Sequence, residues 1–206
     1  MKNSFGFTMI ELLAAIVVLG ILMGVGVPVV MNIMTDQKHS LYINDAIRLA
    51  SLADSKIRSD NKIQIPPRAA GGDTGGCIVI GLDYMDNNGF EAAPYGGVYD
   101  KTRSFVVAQR NESTASEEYT YYVRLVEELS NGAYRGVNFI EVDKLYEDNA
   151  IDKYVENVGT SAAFQLNGFS DASGSYNELM ARLSSLKPDP DTDICGLGIS
   201  GVYFRE

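Results

Sequence analysis

The feature that most constrains this chain is an unbroken apolar stretch near its N-terminus, residues 12–30. These 19 residues include no charged side chain and none that forms hydrogen bonds. As an α-helix they would span about 28 Å, close to the thickness of the hydrocarbon core of a bilayer. The stretch is longer than the apolar part of a cleaved secretory signal, and no A-x-A-like cleavage site follows it. It therefore predicts a helix that crosses a membrane.

The composition limits what the rest of the chain can be. Of 206 residues, 46% are hydrophobic and 21% are charged, so the chain can bury a core. The net charge of −10 excludes the cationic surface that general nucleic-acid binding requires. With one histidine, two cysteines and no nucleophile elbow, P-loop or HExxH sequence, no enzymatic activity is predicted.

Glu11 lies in apolar surroundings, directly before the long stretch. An ionised carboxylate near the middle of a membrane costs about 2.5–3.5 kcal/mol, and less toward the interface, so it needs a partner. The next basic residue along the chain is Lys38. A cut between Gly6 and Phe7 would instead create an α-amino group about one helical turn from Glu11, beside the positive end of the helix dipole. This pattern indicates that proteolysis supplies the partner, in the same chain or in a neighbour.

The sequence of residues 6–13, Gly-Phe-Thr-Met-Ile-Glu-Leu-Leu, closely resembles the processing motif of type IV pilins and pseudopilins. A short polar leader, residues 1–6, precedes the cut. The resemblance implies that a prepilin peptidase cleaves after Gly6 and N-methylates Phe7. It also implies that Glu11 aligns an incoming subunit against the N-terminus of one already in a filament.

Gly20 and Gly24 stand in G-x-x-x-G spacing within the apolar stretch. Such a pair lets two helices approach closely in lipid, but glycine is also frequent in membrane helices, so both interpretations stay open. Pro28 lies where pilins commonly have a proline in the membrane helix. The resemblance implies that the helix around Pro28 can loosen in an assembled filament.

Beyond this stretch the helical period continues in a polar sequence. A one-sided apolar stripe is formed by Tyr42, Ala46, Leu49, Ala53 and Ile57. It predicts one helix over residues 8–59, half in lipid and half packed on a soluble head. Pro66 and Pro67 exclude its further continuation.

Strands are predicted where β-branched and aromatic residues concentrate, at residues 77–82, 104–109, 119–127 and 137–142. Asn131-Gly132 predicts a hairpin between the last two. One face of the third strand should pack on the helix through Tyr119, Tyr121, Val123 and Leu125. A short helix within residues 145–155, an amphipathic helix over residues 176–186 and an edge strand at residues 201–204 complete the prediction.

The segment 94–99, Pro-Tyr-Gly-Gly-Val-Tyr, resembles the Pro-aromatic-Gly-x-x-Tyr segment of pseudopilins and some pilins. We expect an aromatic anchor on a tight turn, with Pro94 fixing φ and the glycines permitting the turn. The predicted fold class is thus α+β and type IV pilin-like, with a long N-terminal helix packed on an antiparallel sheet. The expected parts are a leader (1–6), a transmembrane or filament-core helix (7–34) and a soluble head (35–206), with the helix continuing to about residue 60.

Two further residue groups carry predictions about a disulfide and a metal site. In an exported head, the pair Cys77 and Cys195 predicts a disulfide, with two buried free thiols as the alternative. An oxygen-rich set offers candidate ligands for Ca²⁺, and the same residue types are also ordinary in turns. That set comprises Asp83, Asp86, Asn88 and Glu91. No other metal or cofactor is predicted.

The resemblance implies a structural subunit of a bacterial type IV pilus-like filament, serving adhesion, motility or surface interaction. Such a subunit waits in the cell membrane and then joins an extracellular filament. Its partners would be membrane lipid, other pilin chains, prepilin peptidase, and the assembly platform and ATPase. A minor pilin or a pseudopilin of a type II secretion or DNA-uptake system is the close alternative. An alternative of another class is a single-pass anchored binding or enzymatic domain, which would need neither Gly6 nor Glu11.

Overall fold

A computed structural model of the chain describes residues 8–65, 76–85, 89–110, 119–147, 150–159 and 199–203. The chain divides into two compact units, Met1–Lys38 and His39–Glu206. Helix α1, Met9–Ser59, contributes residues to both. Its bounds confirm the predicted helix over residues 8–59.

In the first unit, the large apolar side chains of α1 are at least half exposed, from Met9 to Met34. By length and composition this is the one helix in the described chain that can cross a membrane, and none of its most apolar span is buried. The helix runs on through Pro28 without a break in its assignment. Proline offers no N–H to the helical ladder, so one hydrogen bond is missing at that turn.

Among the residues that the structure describes, the second unit contains a sheet of seven strands. They are β1 (Cys77–Gly81), β2 (Val98–Tyr99), β3 (Phe105–Arg110), β4 (Tyr119–Glu128), β5 (Tyr134–Glu141), β6 (Val155–Gly159) and β7 (Ile199–Tyr203). Their order is β6-β5-β4-β3-β1-β7, and β2 pairs with β4 off this path. A 3₁₀ turn (Val142–Tyr146) and a short helix, α2 (Ala150–Tyr154), connect β5 to β6.

The part of α1 in this unit packs on one side of the sheet, which we call the helix face. The predicted apolar stripe of α1 lies in this core, with Tyr42, Ala46, Leu49 and Ala53 fully buried and Ile57 at its margin. The sheet contributes Ile78, Ile80, Val106, Ala108, Val123 and Leu125. Tyr119 and Tyr121 pack at the edge, which confirms the predicted face of β4.

The sheet differs from the prediction in three respects. All pairs of neighbouring strands are antiparallel except β1 and β7, which are parallel with Cys77 opposite Ile199. The short strand β2 and the edge strand β6 were not predicted. The short helix predicted within residues 145–155 is present as α2, but it has only five residues, with a 3₁₀ turn before it and β6 directly after it. The predicted helix at 176–186 lies outside the described residues.

Candidate functional site

The N-terminus of α1 is closed by hydrogen bonds between Thr8 and Glu11. The backbone N–H and the hydroxyl of Thr8 each donate to Oε2 of Glu11 at 2.8 Å. The backbone N–H of Glu11 in turn donates to Oγ1 of Thr8 at 3.3 Å. This is a capping box, in which the side chains at the N-cap and at the third helical position satisfy each other's free donors. In the single chain, Glu11 thus finds partners in its own helix.

Thr8 is the functional residue that our reading of the sequence missed. A signal was present, because T-x-x-E before an apolar stretch is the sequence pattern of a capping box. Gly6 and Phe7, the predicted cleavage and methylation sites, lie outside the described residues.

The surface that surrounds Glu11 is apolar, and large exposed apolar side chains continue along α1 as far as Met34. Met9, Ile10, Leu12 and Leu13 are 54–88% exposed. An exposed apolar surface of this extent marks a helix that is covered by lipid or by other chains in its working state.

Gly20 and Gly24 have open space around them in the single chain. A Cβ atom added at either position, or at Gly26, would meet no atom within 4 Å. Contacts within this chain therefore do not account for these glycines. They leave a shallow strip on the helix where a second backbone can approach.

In the head, the turn before β2 places an aromatic cluster in contact with α1. The backbone N–H of Gly96 donates to the carbonyl oxygen of Ala93 at 2.9 Å. The backbone N–H of Ala93 donates to the carbonyl oxygen of Gly97 at 3.0 Å. Gly96 has a φ of 89°, which glycine adopts readily. The Tyr95 ring stacks on Tyr42 with centroids 6.1 Å apart.

The two most buried phenols of this cluster are Tyr42 and Tyr99. Burial raises the pKa of both far above the usual range, and the negative charges of Glu127 and Asp45 raise them further. Both hydroxyls therefore stay protonated at any physiological pH. The Tyr99 hydroxyl acts as a hydrogen-bond donor, to Asp45, and neither phenol serves as an acid or a base.

Two charged side chains in β4 are also fully buried, Arg124 and Glu127. The guanidinium of Arg124 donates to Oδ1 of Asn138 on the neighbouring strand. Burial lowers the pKa of Arg124 to about 10, so the group remains a cation at neutral pH. In the sequence, no pattern around Arg124 and Glu127 indicates that these two charged residues are buried.

The remaining predicted site residues are only partly described. Cys77 is fully buried at the first position of β1 and is not a free thiol, while Cys195 lies outside the described residues. Of the candidate Ca²⁺ ligands, Asp83 and Glu91 are described and Asp86 and Asn88 are not. Within the described part of the chain, no group of three or more His, Cys, Asp or Glu side chains is arranged to hold a metal ion.

Comparison with known proteins locates one signature. Residues 1–27 match the family model of the prokaryotic N-terminal methylation motif, the signature of type IV pilins and pseudopilins. The match spans Gly6, Phe7 and Glu11 but no residue of the head. No curated protein and no solved structure matches the chain.

Proposed function

We propose that this chain is the precursor of a structural, non-enzymatic subunit of a type IV pilus-like filament. The methylation motif supports a type IV pilin-like or pseudopilin precursor. The observation that carries the finer proposal is the exposed apolar half of α1, which begins with one capped carboxylate, Glu11. Lipid covers such a surface before assembly, and other copies of the same helix cover it in a filament.

Proteolytic processing would prepare the chain to exchange its lipid contacts for contacts with other copies of the helix. In the proposed sequence of events, prepilin peptidase removes the leader (1–6) and methylates the new amino group on Phe7. The helix (7–34) keeps the chain in the membrane, and the head (35–206) stands outside the cell. The assembly platform and ATPase then transfer the subunit into a filament.

Glu11 would select the position of each incoming subunit. Both hydrogen bonds that the described residues donate to its carboxylate end on Oε2. Oε1 is therefore the oxygen that a neighbouring subunit's α-amino group would reach. Lipid tails are as apolar as the helix, so assembly gains little from hydrophobic transfer. Packing and this charge pairing must supply the affinity.

Substitution of Glu11 tests the proposal. Glu11→Gln keeps an acceptor for Thr8 but removes the charge, and Glu11→Val removes both. We expect both variants to insert in the membrane and to fall at least tenfold in sheared filaments. Asp36→Asn, which neutralises an exposed acid elsewhere on α1, is the matched control and should assemble normally. Assembly of Glu11→Gln at the wild-type level would contradict the charge pairing.

Substitution of Gly20 and Gly24 tests whether helices in the filament pack against the shallow strip on α1. The double variant Gly20→Ala and Gly24→Ala adds two methyl groups that meet nothing in the single chain. Alanine also favours helix by about 1 kcal/mol per site, so the monomer should not suffer. We expect less incorporation into filaments, whereas Gly26→Ala, outside the G-x-x-x-G pair, should have a smaller effect. Equal incorporation of all variants would favour the interpretation that these glycines are ordinary membrane-helix residues.

The abundance of the chain separates a major subunit from a minor pilin or a pseudopilin. Quantitative mass spectrometry of sheared filaments should find this chain as the main component, beginning at a methylated Phe7. A trace amount would indicate a minor pilin or a pseudopilin. A chain that retains Met1 and is found in no filament would favour a single-pass anchored domain.

A further inference from the structure

The described part of the head exposes few large apolar side chains, and two of them lie close to the start of its helix. Beyond the apolar half of α1, the exposed large apolar side chains among the described residues are Leu41, Val98 and Tyr146. Leu41 directly precedes Tyr42 in α1. Val98 directly precedes Tyr99 in β2, and the Tyr99 ring lies 6.0 Å from that of Tyr42, centroid to centroid. Leu41 and Val98 therefore belong to the same end of the head.

Two hydrogen bonds show how the sheet runs along α1. The Tyr99 hydroxyl donates to Asp45 at 2.7 Å, and the Tyr121 hydroxyl donates to Asp54 at 2.6 Å. The two acids are separated by a helical rise of about 14 Å. The end of the head that carries β2, which we call the near end, thus lies beside the first turns of α1 in this unit. Tyr146 lies toward the other end, shortly after β5 passes the part of β4 that holds Tyr121.

An aromatic and cationic group, which we call the near-end cluster, lies at the near end. Its members are His39, Tyr95 and Arg135. The guanidinium carbon of Arg135 lies 4.3 Å from the centre of the Tyr95 ring. The His39 ring lies 6.3 Å from the Tyr95 ring, centroid to centroid. All three side chains are half-buried, and tyrosine and arginine combine an apolar body with a polar tip. Such side chains suit a boundary between apolar material and water.

The length of the apolar part of α1 indicates where a membrane would end on it. Glu11 and Met34 belong to one continuous helix, and the rise between them is about 35 Å. A hydrocarbon core is about 30 Å thick. A core that ends near Met34 therefore leaves Glu11 in the opposite headgroup layer, where a carboxylate costs less than at mid-membrane.

Chain continuity then brings the near-end cluster to the headgroups. His39 follows Met34 in the same helix after a rise of about 7.5 Å. Each headgroup layer is about 5–8 Å thick, since the whole bilayer measures about 40–45 Å. His39 thus comes at the outer part of this layer whatever the direction in which the head points. Tyr95 comes there with it, because the two rings are neighbours.

We propose that the near end of the head is an interfacial anchor that contacts phospholipid headgroups while the chain is in the membrane. The Tyr95 ring lies at headgroup level, as tyrosine rings do at membrane interfaces. The guanidinium of Arg135 pairs with a lipid phosphate. Leu41 and Val98 add apolar contact beside them. This inference rests on the membrane-bound state of the proposed function, and it adds the surface through which the head meets the lipid.

The charges of the chain favour a zwitterionic lipid as the partner. The cation Arg135 shares the near end with Glu128, an exposed acid opposite Val98 in the register. The net charge of the whole chain is −10, which opposes binding to a strongly anionic surface. A zwitterionic headgroup offers a phosphate to Arg135 and an ammonium group to Glu128. Phosphatidylcholine is therefore the lipid with which the anchor is tested.

Tryptophan fluorescence of the full chain in phosphatidylcholine vesicles tests the proposal. The chain has no tryptophan, so a single introduced one reports its own surroundings. The vesicles carry a spin-labelled lipid that quenches fluorescence, with the label on the headgroup or on the acyl chain. The headgroup label should quench Tyr95→Trp about twofold or more over Tyr146→Trp, the matched control at the other end of the head. The acyl-chain label should quench Leu19→Trp, which reports insertion of the apolar stretch.

A second reporter leaves the rings of the near-end cluster in place. Val98→Trp changes an exposed side chain and should be quenched by the headgroup label as strongly as Tyr95→Trp, so it decides if Tyr95→Trp does not fold. Arg135→Gln in the Val98→Trp chain should lower this quenching by about half, because the pairing with phosphate is lost. The matched control is Arg58→Gln, whose guanidinium lies over the Tyr119 ring instead, and it should leave the quenching unchanged.

The reporters separate failure of the anchor from failure of the proposed function. If Leu19→Trp is quenched while Tyr95→Trp and Val98→Trp are quenched no more than Tyr146→Trp, the chain is inserted and the anchor alone is wrong. Equal effects of Arg135→Gln and Arg58→Gln would also overturn the anchor. If the acyl-chain label does not quench Leu19→Trp, the helix is not in the membrane, and the anchor and the membrane-bound state fail together.

Discussion

The hydroxyl of Tyr99 donates to Oδ2 of Asp45 over 2.7 Å and so joins the end of β2 to α1. The Tyr99 ring also meets Tyr42 and Phe90 edge to face, with centroids 6.0 Å and 5.9 Å apart. The same residue stands opposite Glu127 in the register of β2 with β4. The turn that carries Tyr99 is thus an anchor between the helix and the sheet, as the pattern at residues 94–99 predicts.

Removal of the Tyr99 hydroxyl should lower the stability of the head. Tyr99→Phe keeps the ring packing and deletes a partly buried hydrogen bond to a carboxylate, an interaction of about 1.5–3 kcal/mol. We expect a loss of this size in the free energy of unfolding of the head, measured by guanidinium titration. Tyr146→Phe alters a side chain that is 67% exposed and should change nothing measurable. Equal stability of Tyr99→Phe and the wild type would show that the hydrogen bond does not hold the turn.

The stability of the head should depend on Asp54 in acid. Nε of Arg58 donates to both Asp54 oxygens at 2.9 Å, and the Tyr121 hydroxyl donates to Oδ1 at 2.6 Å. These donors, Arg58 foremost, hold the pKa of Asp54 below its usual range. A depressed folded-state pKa means that the carboxylate stabilises the head above the unfolded pKa of about 3.9. This contribution is lost as the pH falls through the lower folded-state pKa.

Asp54→Asn should therefore flatten the acid side of the stability curve. We expect the melting temperature of the variant to change less than that of the wild type between about pH 5 and pH 2. The effect should be modest because Asp54 is partly exposed to solvent. Asp143→Asn, at an exposed position, is the control and should follow the wild-type curve. Parallel curves for all three proteins would contradict the role of Asp54.

Gly97 should tolerate no side chain. A Cβ atom there would lie 2.6 Å from the backbone carbonyl oxygen of Glu128, which cannot move without disturbing β4. We expect Gly97→Ala to destabilise the head by about 1–3 kcal/mol, as overpacking does, in the same guanidinium titration. Gly26→Ala, where the added methyl group meets nothing, serves as the control. An unchanged midpoint for Gly97→Ala would mean that the turn can shift away from β4.

The cap on α1 predicts a local effect at Thr8. Thr8→Val deletes the hydroxyl that bonds Glu11, and loss of an N-cap costs about 1 kcal/mol. Amide hydrogen exchange in detergent micelles should then accelerate about fivefold over the first turn of α1. Thr35→Val deletes a hydroxyl that bonds the Met31 carbonyl oxygen within the helix and should leave the first turn unchanged. Thr8→Ser should restore the wild-type rate, and exchange that is the same in every variant would contradict the cap.

The proposed pair of cysteines can be identified directly. Peptide mapping under non-reducing conditions should recover Cys77 and Cys195 in one linked fragment. The chain-entropy model values a loop of this length at roughly 4–5 kcal/mol. Cys77→Ser, Cys195→Ser and the double variant should therefore lose similar amounts of stability, because each breaks the same bond. Alkylation of both thiols in the unreduced protein would contradict the pairing.

Much of this molecule could be predicted from local sequence because its causes are local. An uninterrupted apolar stretch and a stripe with helical period predict α1 to within a residue at each end. Alternation in Tyr119, Tyr121, Val123 and Leu125 predicts which side of β4 meets the helix. Each of these signals depends on neighbours within one or two turns of a helix or along one strand.

The tertiary structure alone decided which strands are neighbours and what each buried side chain meets. Nothing local marks β7 as a parallel partner of β1, or the two residues of β2 as a strand, because strand pairing joins residues far apart in the sequence. The burial of Arg124 likewise follows from contacts between parts of the chain that are distant in the sequence. Periodicity reports which side of an element is apolar, whereas only the fold determines whether both sides of a sheet lose contact with water.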